Sequence, residues 1–236
     1  MAAADDVIRT NPWSKLARQP PQSEYVLPED ALFMTTARIK SAQLRLELPP
    51  VPFIGDPRKA PVILLQLNPG WSEVNARLEV ADAEYIRQNR LTLGFQSTPS
   101  FFPLADSLKD APGGRYWRTR LKRVIEQCGL SVASEQLACV EWFPYHSARF
   151  GFIGLLLPSQ EYGFRLVENA VRREALFVLM RREEYWMLSV PALRDADRAG
   201  RIIRLVSQRG GYLSEKNICD AGGLVRICDA LTLGRA

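Results

Sequence analysis

Four apolar runs, each followed by a stretch of helical periodicity, restrict this chain more than any other feature. Residues 61–67 read PVILLQL, 136–142 QLACVEW, 175–180 ALFVLM and 201–206 RIIRLV. The first is continuous, the mark of a strand buried on both faces, and the other three read as strands beside it. Helical periodicity falls between and after them, over 72–89, 116–128, 161–173, 183–198 with a break at Pro191, and about 217–233. In 116–128, for example, Trp117, Leu121, Val124, Ile125 and Cys128 share one helical face. Strands alternating with helices predict an α/β fold: a three-layer α/β/α sandwich around a central four-stranded parallel sheet.

The first 60 residues read differently. Proline recurs at 12, 20, 21, 28, 49, 50, 52 and 57, and proline interrupts helices and sheets alike. Scattered apolar anchors such as Trp13, Tyr25, Phe33 and Phe53 predict an N-terminal arm, residues 1–60, packed on a main domain of residues 61–236. One short strand is expected in the arm at 43–48. With 236 residues and 47% hydrophobic content, the chain can build a substantial core.

Several function classes drop out. No apolar run approaches the roughly 20 residues that span a bilayer. The start, Met-Ala-Ala-Ala-Asp-Asp, lacks the basic and then apolar order of a secretory signal. The expectation is a cytoplasmic protein with no membrane partner. Cys128, Cys139, Cys219 and Cys228 form no C-x-x-C pair, and with a single histidine no histidine-rich metal site can form. They read as buried reduced thiols, and neither a metal nor a cofactor is expected. There is no P-loop, no G-x-S-x-G elbow and no G-x-G-x-x-G after a strand. The net charge of +5 permits a polyanionic partner.

In parallel α/β sheets the functional crevice lies beyond the carboxyl ends of the strands. Those ends carry the unusual residues of this chain. After the first strand comes Leu67-Asn68-Pro69-Gly70, made of residues that ordinary turns also use. After the second comes Glu141-Trp142-Phe143-Pro144-Tyr145-His146-Ser147, holding the only histidine; its aromatic rings suit either base stacking or the core. Arg181-Arg182 follows the third. After the fourth comes Ser207-Gln208-Arg209-Gly210-Gly211-Tyr212-Leu213-Ser214, where Tyr212 or Leu213 suits a wedge and Ser214 a helix cap. A run from Gly113 to Arg123 holds five basic groups and no acid, with Arg115 at a predicted helix start suited to phosphate, or the run is simply a solvated helix face.

The strand ending Leu67-Asn68-Pro69-Gly70 resembles the first motif of the uracil-DNA glycosylase superfamily, nearest to its mismatch-specific and single-strand-selective types. The overall series is similar to a bacterial branch with Pro52-Phe53-Ile54-Gly55-Asp56-Pro57, Phe143-Pro144-Tyr145-His146-Ser147 and a late Ser-x-Arg loop at Ser207 and Arg209. The resemblance covers residues 60–236 as a layout and is specific at Asn68-Pro69-Gly70. It implies the uracil-DNA glycosylase-like fold and hydrolysis of the N-glycosidic bond of a damaged or unusual base flipped out of DNA.

By the same resemblance Asn68 orients the attacking water. Leu67, Pro69, Gly70, Glu141, Phe143 and Tyr145 shape the base pocket, and Gly70 suits a positive φ or a close approach. Ser207, Arg209 and Tyr212 in the late loop meet the nucleic acid; Arg115 and Arg182 join them as phosphate candidates from their own places, at a predicted helix start and a strand end. Two departures stand out. Glu141 occupies the place of a base-reading asparagine, and an ionised carboxylate there only accepts, which suits a base with an exocyclic amine or no base at all. Leu205 and Val206 stand where the family's late loop has His-Pro, so His146 is the one candidate to take over that histidine's role.

Two readings follow. One is a DNA glycosylase-like hydrolase; the other is a catalytically inactive nucleic-acid or nucleotide-binding protein on the same fold. A hydrolase acting on a small nucleoside-like molecule is a third.

Overall fold

A computed structural model describes residues 11–18, 24–36, 43–71, 73, 76, 83–97, 100–148, 150 and 156–234. Its centre is a five-stranded mixed sheet: β1 (Phe53–Ile54), β2 (Val62–Gln66), β3 (Leu137–Glu141), β4 (Leu176–Leu179) and β5 (Ile202–Arg204), in the order β1-β3-β2-β4-β5. The four expected strands are present and mutually parallel, with β2 between β3 and β4. The expected purely parallel four-stranded sheet is corrected by β1, which pairs antiparallel with β3 through Phe53↔Val140 and Ile54↔Cys139. Two residues between Pro52 and Gly55 are too few to show a periodicity, so β1 went unread inside the arm.

The chain leaves β2 for β3 on one side and then crosses to β4 on the other. The direction of winding therefore reverses at β2, whose carboxyl end carries Asn68. Reversal points of this kind open a crevice between the diverging connections.

The described helices are α1 (Ser14–Arg18), α2 (Pro28–Met34), α3 (Ala83–Leu93), α4 (Pro112–Arg120), α5 (Lys122–Cys128), α6 (Leu130–Gln136), α7 (Gln160–Arg172), α8 (Glu183–Ser189), α9 (Leu193–Arg198) and α10 (Gly223–Leu233). Strand residues alternate between two cores. Ile63, Leu65, Ala138, Val140, Phe177 and Leu179 face one, closed by α1, α7, α8 and α9. Val62, Leu64, Leu137, Cys139, Leu176 and Val178 face the other, closed by α4, α5, α6 and α10. Burying both faces in this way is what the apolar runs require. None of the described helices is long and apolar enough to cross a membrane.

Several expected elements change. The predicted helix over 116–128 is two helices, broken at Leu121, whose backbone sits at φ −92°, ψ 6°. α6 was not anticipated. Residues 43–48 form turns and no strand, with Leu44 in an isolated bridge to Ser147. The last helix starts at Gly223 and not near 217, because the Ser214 carbonyl accepts from Asn217 and Ile218 N–H and closes a turn there. Ser214 is therefore no cap for that helix. Of the helix expected over 72–89, residues 72, 74, 75 and 77–82 lie outside the described residues.

Candidate active site

β2 and β3 each end in a polar residue, and the two are register partners: Gln66↔Glu141. Side chains alternate along a strand, so Gln66 shares the face of Val62 and Leu64, and Glu141 that of Leu137 and Cys139. Both side chains enter the same side of the sheet at its carboxyl edge. A cavity of about 340 Å³ opens there, lined by Gln66, Leu67, Asn68, Pro69, Gly70, Tyr85, Tyr116, Trp117, Glu141, His146 and Arg181 among others. That volume is near the small end of ligand pockets, roughly 300–1,000 Å³, the scale of one heterocycle with part of a sugar.

Asn68 is held rigidly. Its Nδ2 donates to Pro69 O at 2.9 Å and to Ser147 Oγ at 2.8 Å. With both N–H bonds committed, Oδ1 is the atom left to accept from a bound molecule. His146 is buried, and its Nδ1 lies 2.9 Å from the Gly70 carbonyl. A carbonyl only accepts, so Nδ1 carries the proton. The imidazole thus secures the Asn-Pro-Gly loop from the β3 side, and an isolated bridge between Gly70 and Ser147 secures it again. Gly70 itself has no positive φ, and a Cβ there would meet nothing within 4 Å. Its expected conformational role is corrected: the loop does not need glycine at that point.

Glu141 is 8% exposed, and its Oε2 finds no hydrogen-bond partner among the described residues. Burial pushes its carboxyl up to about 8, with Arg181 pulling weakly the other way. Burial thus favours the neutral acid, and a neutral carboxyl donates as well as accepts, where the ionised form would only accept. Tyr116 Oη accepts from Gln66 Nε2 at 3.1 Å, leaving its own proton to give. Burial raises the Tyr116 hydroxyl, which stays protonated even though Arg120 packs with its guanidinium carbon 3.4 Å from the ring centroid. Arg181 completes this wall and also donates to Arg209 O at 2.8 Å. The inner wall is thus rich in donors.

The expected site residues divide. Asn68, His146, Leu67, Pro69, Gly70 and Glu141 line one cavity. Phe143 and Tyr145 do not: both rings are buried in the opposite core, 6.0 Å apart by centroid. Trp142 is buried with them, its Nε1 donating to Ser189 Oγ. The strand ends at Glu141, so side-chain alternation no longer keeps later residues on the cavity side.

None of Arg115, Arg182, Ser207, Arg209 and Tyr212 lines the cavity. Arg115 is exposed on α4. Arg182, at φ 50°, turns outward to Glu184 at 3.2 Å, and its neighbour Arg181 takes the inward position. The late loop is shaped by Asn217, which bonds Ser207 N, Ser207 O and Tyr212 O. That leaves Arg209 and Tyr212 exposed and Leu213 fully buried, so of the two expected wedges only Tyr212 is on the surface.

Sequence reasoning missed Gln66, Tyr116, Trp117 and Ser147. Gln66 had a signal: it is the one polar residue in PVILLQL, at the same parity relative to its strand end as Glu141. Arg45 was also missed; its guanidinium carbon lies 4.0 Å from the centroid of the Trp71 ring, next to Gly70. No family model matches the chain, and no curated protein or solved structure is significantly similar to it.

Proposed function

We propose that this protein is a glycosylase-like hydrolase that cleaves the N-glycosidic bond of a nucleobase in DNA, on a uracil-DNA glycosylase-like variant of the α/β fold. The observation that carries this reading is the pinned amide of Asn68, which presents Oδ1 in a ring-sized cavity whose inner wall is built of donors. Asn68 is neutral and is no strong base, so it contributes orientation of the water. As the bond breaks, negative charge collects on the leaving ring. Glu141, Tyr116 and Arg181 stand ready to donate to that charge. This wall favours a ring bearing oxo groups over its amino counterpart, the reverse of the preference expected from an ionised Glu141.

The test is a cleavage assay on labelled single- and double-stranded oligonucleotides carrying uracil, hypoxanthine, xanthine or a normal base, followed by alkali. Abasic product is expected from an oxo-substituted base, and Asn68→Ala should lower its rate by about 10²–10⁴-fold. No product from any member of the panel would sink the reading.

One observation favours a second reading, a nucleic-acid or nucleotide-binding protein without turnover. Neither Asn68 nor a neutral Glu141 can take a proton from water. In that case binding persists without product and weakens steeply as salt rises.

A further inference from the structure

Tyr145 directly precedes His146 and Ser147, the two residues that hold the Asn68 turn, yet its side chain points away from the cavity. Its ring lies in the opposite core, edge-on to Trp13 at 5.9 Å. Its hydroxyl donates to Asp30 Oδ2 at 2.7 Å and accepts from Leu27 N–H at 3.2 Å. Asp30, in the first turn of α2, is 0% exposed and spends its other oxygen on Ser159 N–H at 3.1 Å. A carboxylate this deep is costly to bury unless its partners are fixed. Here they are, and both bind it to chain segments far away in sequence.

The backbone of the same loop is clamped by the arm as well. Val51 N–H donates to Pro144 O at 2.9 Å, Arg45 N–H to His146 O at 2.9 Å, and Ala148 N–H to Gln43 O at 3.3 Å. On its other side the loop meets the Asn-Pro-Gly turn through Ser147 Oγ and His146 Nδ1. A shift of the loop would take Ser147 Oγ from Asn68. The amide could then rotate and present N–H where it now presents Oδ1.

We propose that Tyr145 and Asp30 are positioning residues: their buried hydrogen bond anchors the 143–147 loop to the N-terminal arm, and through His146 and Ser147 sets the orientation of the Asn68 turn. The arm is then half of the site's framework and not a separate appendage. This inference rests on the reading of Asn68 as the residue that orients the water, but its test needs no turnover.

His146 is the only histidine, so the protein labelled with ¹⁵N-histidine gives one imidazole spectrum. The wild type should show the Nδ1–H tautomer, held by Gly70 O. Tyr145→Phe and Asp30→Ala should lower the Nδ1–H population severalfold, and Asp30→Asn, whose oxygen can accept from Ser159 N–H while its amide donates to the Tyr145 oxygen, should restore part of it. Ile203→Val, a conservative cut in the other core, should leave the spectrum as in wild type. If Asp30→Ala fails to fold, Tyr145→Phe decides, since it removes one oxygen and no bulk. A wild-type tautomer in Tyr145→Phe, or an equal change in Ile203→Val, would overturn the proposal. Absence of base cleavage would sink the hydrolase reading and leave this result standing.

Discussion

Among the described residues two carboxyl groups are buried, on opposite faces of the sheet, and their surroundings could hardly differ more. Asp30 has a partner for each oxygen, Tyr145 and Ser159. Glu141 has an oxygen with none among the described residues. Burial raises both, against hydrogen bonds that lower Asp30 and against only Arg181 at Glu141. In the first case the structure replaces the lost water. In the second it leaves a polar group for something else to satisfy, in a cavity wide enough to admit it. A buried polar group without a partner costs stability, and this one lines the same cavity as Asn68.

Removing each group should break the symmetry between them. Asp30→Ala strands the Tyr145 hydroxyl and the Ser159 N–H, and should cost about 3 kcal/mol in urea unfolding. Glu141→Gln removes an acid that is hard to ionise where it sits, and should change stability by no more than about 1 kcal/mol at pH 5. Equal losses would mean that Glu141 is as fully satisfied as Asp30.

A pH series sharpens the same contrast. The folded state holds the Glu141 proton more tightly than the unfolded chain does, since its carboxyl rises from 4.5 to about 8. Its stabilising contribution is therefore complete below pH 4.5 and is lost as pH rises through 8. Wild type should lose stability relative to Glu141→Gln between pH 5 and 8, by up to about 1.4 kcal/mol per pH unit. Parallel curves for the two proteins would show that the carboxyl ionises freely in the fold.

The smallest effect is expected at Gly70, which lines the cavity. With open space around a Cβ and an ordinary φ, Gly70→Ala should stay within about 0.5 kcal/mol of wild type by thermal unfolding. Gly55 is the contrast on the arm side. Its φ is +78°, and a Cβ would strike the Leu137 carbonyl, so Gly55→Ala should cost about 2 kcal/mol or more.

The four parallel strands were legible because each is a short, mostly apolar run, continuous over Val62 to Leu65 and broken by Arg204 in the last, set between helical stretches. Asn68, Glu141 and His146 were legible because strand ends can be located from where those runs stop. The misassignments fall where pattern gives way to tertiary contact. Phe143 and Tyr145 follow Glu141 closely enough in sequence to suggest one pocket, but the chain turns at Trp142 and sends both rings to the other core. Arg181 and Arg182 are chemically alike; the left-handed backbone at Arg182 decides which one faces the cavity, and no local residue type announces it. Tyr116 enters the site from a helix about 50 residues away from the strand it faces, a pairing only the fold could make.

The short strand β1 has a consequence for solubility. It is the outermost strand, and it covers the free side of β3. A chain trimmed to begin after Gly55 would leave the backbone groups of β3 that face away from β2 unpaired beside a wholly apolar stretch, Leu137 to Val140. Such an exposed edge pairs readily with another copy of itself. The trimmed protein should therefore self-associate in light scattering, strand against strand, with Glu141 at the seam.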